Sequence, residues 1–597
     1  MNLNVYYRRA VSRFVVIVAV ILILIVAAGV AYVVTLPPSV TTTTATSTTT
    51  STATSIATST ATVTSTTTVI SSSTTSTTST TSTVPTQPVY GGTLIADEEF
   101  EPATVDPATS DTVAGLAIVD NVADGLVGYN WTTQTIIPRL ATSWTVSPNG
   151  LTYNFTLRQG VYFVDPATNK TIDEFNATDV QYTFNRVLGQ LNGYVFATAG
   201  LNMSTFHIYD PFHFSVSLNA PFSAFISTLA DPYNAIIDKS VDLAHGGTVN
   251  GTVNSFMESN LIGTGPYMMT QWVKGDHITL MRNPYYWGPK PYLDRIVIDY
   301  RNDPSTRLLD IKGGAVQVAS IDPNLVPSLA GSSNVKVQII GLSDNIAPIG
   351  LDVQKFPTNS TLVRLAMAHA INYSFIDKNI LNGFGISFAG PMPKGMFGYN
   401  DSIASYQYNV ALAEQELAQA GYPNGSFKNG TALPPINFVY PLDWPSGALV
   451  ASAIQSDLSV IGLQVNIVGA TDVSYGDYVG LPFNSTQRPQ MLAYFWTPDF
   501  QDPADYATPS AAYSWNNGYS NPQIENLGTE ALSTFNLTLR AELYSEIMVL
   551  TQQNAPIIWN YQYVGYAVYT TNVHGIIYSP LLDGYGFDWA SVWLSPS

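Results

Sequence analysis

The chain has 597 residues and a formal net charge of −19, and a chain of this length is expected to contain more than one structural unit. It contains no cysteine, which excludes disulfide bonds, a thiolate nucleophile and cysteine-ligated zinc. Its 23 Lys and Arg residues are outnumbered by 42 Asp and Glu, so we expect no nucleic-acid partner, because a phosphate backbone requires clustered positive charge.

The N-terminus has the pattern of a membrane anchor. Arg8, Arg9 and Arg13 precede an unbroken apolar run at residues 14–34, and about 20 such residues span a bilayer as a helix. Basic residues on the N-terminal side stay in the cytoplasm. We therefore predict that residues 1–35 are a basic N-terminus with one transmembrane helix, which contacts the lipid bilayer through residues 14–34. The remainder of the chain would be extracellular, held at the cell membrane.

The basic flank also contains a candidate processing site. The segment from Arg8 to Ser12, with Ala10 and Val11 at its centre, resembles the cleavage site of archaeal prepilin-type signal peptides. In that class the cut precedes the apolar stretch, here between Ala10 and Val11, so the anchor is retained. An uncut signal anchor gives the same topology, and the sequence leaves both alternatives open.

Residues 36–89 consist mostly of Thr and Ser, with scattered Ala, Val and Pro. A segment with so little apolar surface cannot offset the entropy lost on folding, so we predict a disordered stalk. Runs of hydroxyl residues with Pro are typical of O-glycosylated stalks.

The rest of the chain is rich in Asn-X-Ser/Thr sequons, which favour an extracellular glycoprotein. The glycosylation candidates are Asn130, Asn154, Asn169, Asn176, Asn202, Asn250, Asn359, Asn372, Asn400, Asn424, Asn429, Asn484 and Asn536.

Strand and helix patterns alternate irregularly after residue 90, as in a mixed α/β fold. Alternating polar and apolar residues predict strands at 152–157, 208–218 and 277–282. Asn176, with Asp179 three positions later and Gly189 at the far end, predicts a capped helix. Further helices are predicted at 361–382, at 410–420 after Asn409, and at 448–461 before a strand at 464–468.

No catalytic constellation is recognisable. The six histidines do not form an HExxH motif, and there is no G-x-S-x-G elbow or Walker A loop. We therefore expect no enzyme, no catalytic residues, no metal and no cofactor. His369 lies among apolar helix residues and is interpreted as a core group, and the carboxylates around Glu98 as a solvated turn.

From residue 90 onward, a series of short motifs occurs in a recognisable order. In chain order these are Gly91-Gly92-Thr93-Leu94, Thr104-Val105-Asp106-Pro107, residues 120–126, residues 138–144, residues 150–161, residues 177–184, Gly263-Thr264-Gly265-Pro266-Tyr267, Arg282-Asn283-Pro284-Tyr285-Tyr286-Trp287, residues 363–372, residues 418–422 and Asn554-Ala555-Pro556. Each motif alone is weak, but their joint order across nearly all of residues 90–570 resembles the family 5 extracellular solute-binding proteins of ABC transporters, which bind dipeptides and oligopeptides. Gln317 and Asn372 stand where that family usually has Asp, which suggests the loss of two structural charges.

The resemblance implies an α/β fold of the two-lobed periplasmic-binding-protein type (type II) with an extra domain, following one transmembrane helix and the disordered stalk. Lobe I would comprise residues 90–124, 232–320 and 545–597, the inserted domain 125–231, and lobe II 321–544. The lobes would close around a ligand and deliver it to an ABC permease with its ATPase subunits.

The resemblance also implies a ligand loop at residues 495–503. In peptide-binding members a Trp of this loop lines the cleft and an Asp pairs with the peptide ammonium, so we predict that Trp496, Asp499 and Phe500 bind the ligand. The alternative is that Asp499 only caps a turn before Pro503. Asp502 is interpreted as structural.

The ligand class stays open at this point. Oligopeptides or dipeptides are the first interpretation, and cello-oligosaccharide-type sugars the alternative, since family members share the scaffold and aromatic side chains suit both ligands. The aromatic candidates besides Trp496 are Trp131, Trp272, Trp444 and Trp515. An extracellular hydrolase and a surface-layer or adhesion protein are weaker alternatives.

Overall fold

The structure of the protein is a computed structural model, and it describes residues 87–596 except 111, 249–250, 443, 445, 484, 508–516, 581 and 583–585. The predicted anchor at residues 14–34, the cleavage site at Ala10 and Val11, and nearly all of the predicted stalk lie outside the described residues. Among the helices that are described, none is both long enough and apolar enough to cross a bilayer.

The described residues form a mixed α/β unit. The strands are β1 Thr93–Glu98, β2 Val127–Asn130, β3 Thr135–Pro138, β4 Ala141–Val146, β5 Thr152–Leu157, β6 Tyr162–Asp165, β7 Lys170–Glu174, β8 Leu201–Asp210, β9 His213–Leu218, β10 Tyr267–Val273, β11 His277–Arg282, β12 Arg295–Tyr300, β13 Val318–Ala319, β14 Val335–Leu351, β15 Gly385–Ile386, β16 Ile436–Pro441, β17 Val465–Ala470, β18 Met491–Ala493, β19 Ile557–Thr570, β20 Val573–His574 and β21 Trp593–Leu594. The helices are α1 Val113–Val122, α2 Ala177–Leu188, α3 Gly193–Thr198, α4 Phe225–Thr228, α5 Lys239–Ala244, α6 Pro304–Gly313, α7 Thr361–Ala370, α8 Tyr373–Phe375, α9 Val410–Gln419, α10 Gly447–Val460, α11 Asp472–Val479, α12 Pro522–Ser533 and α13 Leu537–Asn554.

A large mixed sheet dominates the fold, in the order β10-β11-β12-β1-β13-β19-β14-β18-β16-β17. Strands β14 and β19 are its long central antiparallel pair, and they join the β1 half to the β16 half. Their ladder is irregular between Leu342 and Ile346, and a bulge of this kind bends a strand and redirects its side chains. The irregular stretch therefore lies in the middle of the sheet, where the two halves meet.

A second sheet, β4-β5-β9-β8, stands apart from the large one in the strand pairing. Its inner face carries Phe155 and Phe214, stacked with their centroids 5.0 Å apart. The opposite face is polar, since Asn154 and Thr156 alternate with the buried residues of β5. This alternation is what a sheet with one buried and one solvated face requires.

Three main apolar clusters form the core. The first lies under β14, β16 and β18 and includes Phe438 and Ile454. The second lies under the four-stranded sheet and the third under β1, β11 and β12. Each of these groups of strands thus buries its apolar face in a separate core, as expected for a chain of more than one structural unit.

Most local predictions are confirmed. Strands β5 and β11 match the predicted ranges, and α2 is capped by Asn176, whose side chain accepts from the Thr178 backbone N–H while Asp179 completes the capping box. Helices α9 and α10 follow their predicted ranges. His369 is half-buried and its hydrogen bonding is satisfied, because its Nδ1 lies 2.9 Å from Glu416 Oε2.

Two predicted elements are wrong. The predicted strand at 208–218 is two strands, β8 and β9, separated by a turn at Pro211 and Phe212. The predicted helix at 361–382 breaks at Ile371, whose backbone is extended with ψ 128°. Asn372 then caps the next turn by accepting from the Phe375 backbone N–H, a role that favours a new helix start over continuation.

The Glu98 region is not a solvated turn. Glu98 is buried at the end of β1, and the neighbouring Glu99 and Glu101 are held by Arg307 and by the indole N–H of Trp272. Gln317 keeps its hydrogen bonding without a charge, since its Oε1 accepts from the Ile95 backbone N–H at 2.8 Å.

Candidate functional site

The loop predicted to bind ligand follows β18 and begins as an extension of the large sheet. Ile346 of β14 and Trp496 exchange two backbone hydrogen bonds, of 3.1 and 2.9 Å. This pairing fixes the direction in which residues 497–505 leave the sheet. The loop is therefore anchored to the central strand at the irregular stretch of its ladder.

The loop then reaches the residues around the four-stranded sheet. Phe500 is buried within their apolar cluster, with its ring centroid 6.3 Å from that of Phe222. The Gln501 backbone N–H donates to the Tyr129 hydroxyl at 3.2 Å. The two parts of the molecule thus meet at this loop, and Phe500 acts there as a packing contact.

Carboxylates gather at the same place. Asp505 Oδ2 accepts from the Asp499 backbone N–H at 3.0 Å and from the Trp496 indole N–H at 3.2 Å. Tyr194 of α3 donates its hydroxyl to the Asp499 carboxylate. Trp496 and Asp499, two of the predicted ligand residues, are therefore brought together with Asp505.

Asp231, which lies outside this loop, adds a third carboxylate. It is 1% exposed, and its Oδ1 accepts from the Tyr233 backbone N–H at 3.1 Å. The remaining oxygen, Oδ2, has no hydrogen-bond partner among the described residues. We name Asp231, Asp499 and Asp505 the acidic trio.

Burial raises the pKa of all three carboxyls above their ordinary values, because the charged form loses its hydration. The charge of Asp499 raises the pKa of Asp505 and of Asp231 further. Hydrogen bonds from Tyr194 and Asp505 act in the opposite direction and lower the pKa of Asp499. Asp499 is therefore the member that ionises most readily.

No Lys, Arg or His in the described part of the chain forms an ion pair with the acidic trio. The undescribed positions between residues 87 and 597 include no Lys, Arg or His either. A buried carboxylate without a cation is unfavourable. The arrangement can therefore accept a positively charged group, and it disfavours an anionic one.

Asp502 has a structural role, as predicted. Its Oδ1 accepts from the Ala504 backbone N–H at 2.9 Å and caps the turn that starts at Pro503. The same oxygen pairs with the buried Arg540 of α13. The residue that caps the turn at Pro503 is thus Asp502 and not Asp499.

Sequence reasoning missed two members of the site. Asp231 stands before Pro232 in a short turn, a pattern that signals local capping only. Tyr194 is one of 35 tyrosines, and no pattern distinguishes it from the others. Tyr194 contacts Asp499, and Asp231 comes within electrostatic range of it, through tertiary packing that a local pattern does not report.

The other predicted residues lie as follows. Trp444 donates its indole N–H to Tyr561 at 3.0 Å, Trp131 lies beside Tyr129, and Trp515 is outside the described residues. Asn250 and Asn484 are also outside them, and each of the other sequon asparagines is half-buried or exposed. In the described part of the chain, no group of three or more His, Asp or Glu is arranged to hold a metal ion.

Comparisons with known proteins identify the family to which the chain is similar. The model of the bacterial extracellular solute-binding proteins, family 5 middle region, matches residues 135–518. The heme-binding protein A of Haemophilus influenzae is 28% identical over 511 residues, which cover 82% of this chain and 89% of that protein. The dipeptide-binding protein of Escherichia coli is 29% identical over 493 residues, 79% of this chain and 89% of that protein.

A solved structure agrees with these matches. The ABC transporter-associated periplasmic binding protein DppA from Helicobacter pylori, in complex with the peptide STSA, superposes with a TM-score of 0.71 at 27% identity. The match covers 85% of this chain and 99% of that one. The fold is thus the two-lobed α/β fold of periplasmic binding proteins, and the chain belongs to the family 5 extracellular solute-binding proteins.

Proposed function

We propose that the protein is the substrate-binding component of an ABC importer and captures short peptides between its two lobes. The observation that carries the proposal is the buried carboxylate of Asp499. It accepts a hydrogen bond from Tyr194 and has no cation beside it in the described structure. The α-ammonium of a peptide supplies the missing charge. Such a charge-assisted hydrogen bond fixes one end of the ligand while its side chains are read loosely.

Closure of the lobes around the ligand follows from the same geometry. By the proposed boundaries, Asp499 and Asp505 belong to lobe II, whereas Asp231 and Tyr194 belong to the inserted domain. A cationic group between them is attracted to both sides only in the closed form, so binding stabilises closure. The central pair β14 and β19, with its irregular register, is the natural place for the lobes to bend.

The remaining parts of the proposal rest on sequence and family. Residues 1–35 would tether the protein to the outer face of the cell membrane, and residues 36–89 would form the stalk. Lobe I would comprise residues 90–124, 232–320 and 545–597, the inserted domain 125–231, and lobe II 321–544. The glycans would occupy sequon asparagines, and the permease and ATPase subunits would be the partners.

A thermal-shift screen of the full-length chain in a mild detergent tests the ligand class. A ligand at about 100 times its dissociation constant adds about 2.7 kcal/mol to the free energy of unfolding. We expect di- and tripeptides with a free amine to raise the melting temperature. Stabilisation by cello-oligosaccharides or by hemin, with none by any peptide, would overturn the proposal.

A further inference from the structure

A second polar feature lies next to the acidic trio and plays no part in the hydrogen bonding described so far. Asn345 is in the irregular stretch of β14 and is 0% exposed. Neither its Oδ1 nor its Nδ2 has a hydrogen-bond partner among the described residues. Leaving a buried amide unpaired is unfavourable, so such a group in a folded protein calls for a specific explanation.

The register places Thr497 directly opposite Asn345. Ile346 and Trp496 form an isolated pair that exchanges both backbone hydrogen bonds, and continuing its antiparallel register by one residue sets Asn345 opposite Thr497 as a non-hydrogen-bonded pair. The Cβ atoms of such a pair are about 4.5–5.5 Å apart and point to the same face. The Thr497 Oγ1 is also buried and has no partner among the described residues.

This face of the strand pair is otherwise apolar, because the same register sets Ala347 opposite Phe495. Phe495 lies two residues from Thr497, on the same side of the strand, and its ring centroid is 5.4 Å from that of Tyr563. Such an apolar surface offers no hydrogen-bond partner to an amide or a hydroxyl. The two unpaired groups therefore form a polar spot on an apolar face, at the start of the loop that leads to Asp499.

The chemistry of the spot matches that of a peptide group. A carboxamide offers one acceptor oxygen and one donor nitrogen, and a hydroxyl can do either. A peptide group presents a C=O and an N–H, and no charge. In a peptide ligand, the first such group is only one residue away from the α-ammonium, so one ligand can occupy Asp499 and the polar spot together.

We propose that Asn345 and Thr497 form a subsite that binds the first peptide group of a ligand whose ammonium is held at Asp499. This inference rests on the proposed function and sharpens it, because the subsite distinguishes peptides from simple amines. Asn345 and Thr497 are specificity-determining residues in this account. The competing explanation is a trapped water molecule that bridges the two side chains without any ligand.

Titration calorimetry on the full-length chain in detergent tests the subsite, with trialanine as the probe and with an analogue whose first peptide N–H is replaced by an ester oxygen. We expect Asn345→Leu to weaken trialanine binding at least tenfold, on the order of one lost hydrogen-bonded group. Thr497→Val, which keeps the side-chain volume, is expected to weaken it about three- to tenfold. Asn466→Leu on the exposed face of β17 is the control and should leave the affinity unchanged.

The ester analogue links the variants to the ligand group. In the wild type it should bind more weakly than trialanine, whereas in Asn345→Leu the two ligands should bind with similar affinity, because the partner of the N–H is gone. Should Asn345→Leu fail to fold, Thr497→Val and the ester analogue on the wild type carry the test. If both of these leave the affinity within twofold while trialanine still requires Asp499, the water explanation holds and the subsite is refuted. If the wild type does not bind trialanine, the subsite falls together with the proposed function.

Discussion

Asp499 differs from the other acidic residues of its loop, because its carboxylate is not committed to an ion pair or a helix cap among the described residues. Asp502 is committed to Arg540 and to the cap at Pro503, and Asp505 receives the Trp496 indole and the Asp499 backbone N–H. The carboxylate of Asp499 receives hydrogen bonds from Tyr194 and Asp505 and no ion pair in the described structure. It is therefore the group with room for a ligand cation.

Replacing Asp499 should weaken peptide binding strongly. Truncating one partner of a buried charge pair usually costs about 2–5 kcal/mol, so we predict that Asp499→Ala lowers the affinity for a short peptide at least about thirtyfold. Titration calorimetry measures the change, with Asp477→Asn on the exposed side of α11 as the control. An unchanged affinity in Asp499→Ala would remove Asp499 from the site.

The affinity should also depend on pH. Burial raises the pKa of Asp499 above its ordinary value near 4, and the ammonium binds the ionised form, while the peptide amine stays protonated below pH 7. Acidification from pH 7 to pH 5 therefore protonates the site, and we predict a loss of affinity on the order of tenfold. Fluorescence titration at several pH values measures it. The dependence should vanish in Asp499→Asn, and an affinity that rises with acidification would contradict the account.

At the scale of elements, α13 holds the ligand loop in place. Arg540 is 4% exposed and donates to the Ala531 carbonyl, to Asp502 and to the Tyr544 hydroxyl. One guanidinium thereby ties α12, α13 and the turn after the loop together. We therefore expect the position of this loop to depend on Arg540.

Removing Arg540 should destabilise the fold. Arg540→Met leaves Asp502 as a buried carboxylate without its partner, which typically costs about 3–5 kcal/mol of unfolding free energy. Denaturant unfolding measures the loss, with the exposed Lys428→Met as the control. The double variant Arg540→Met/Asp502→Asn should recover part of the loss, and equal stabilities of the single and double variants would speak against the buried pair.

Some of the elements could be predicted from the sequence and others could not. Strand β5 and the Asn176 cap were predictable because each depends on residues within a few positions of one another. The break at Ile371 was not, because the apolar pattern continues through it and only the capping bond of Asn372 reveals a new start. Within the site, the role of Asp499 came from the family resemblance, whereas Asp231 and Asn345 depend on strand register and packing between distant segments.

At the scale of the whole molecule, several buried or half-buried carboxyls of the described residues have raised pKa values. Burial raises the pKa of Asp344 to about 7 and that of Asp179 to about 6, and the pKa values of Asp120 and Asp588 are also raised, in each case mainly by desolvation. A carboxyl with a raised pKa in the folded state stabilises the fold below its unfolded pKa, and this contribution is lost as the pH rises through the folded pKa. The protein should thus be more stable in weak acid than at neutral pH.

We predict that the unfolding free energy increases by at least about 2 kcal/mol between pH 7 and pH 4.5. Guanidinium unfolding at the two pH values measures the difference, since its charge state does not change over this range. Asp344→Asn should reduce the gain, because its amide has no proton to bind. Lower stability at pH 4.5 than at pH 7 would refute this balance of charges.

The central claim is that the closed lobes hold the ammonium of a peptide at Asp499. Its most direct test is titration calorimetry of trialanine against N-acetyl-trialanine, which differ at the amine alone. The account predicts that acetylation lowers the affinity of the wild type at least about thirtyfold and has little further effect in Asp499→Asn. Equal affinities of the wild-type protein for the two peptides would contradict it.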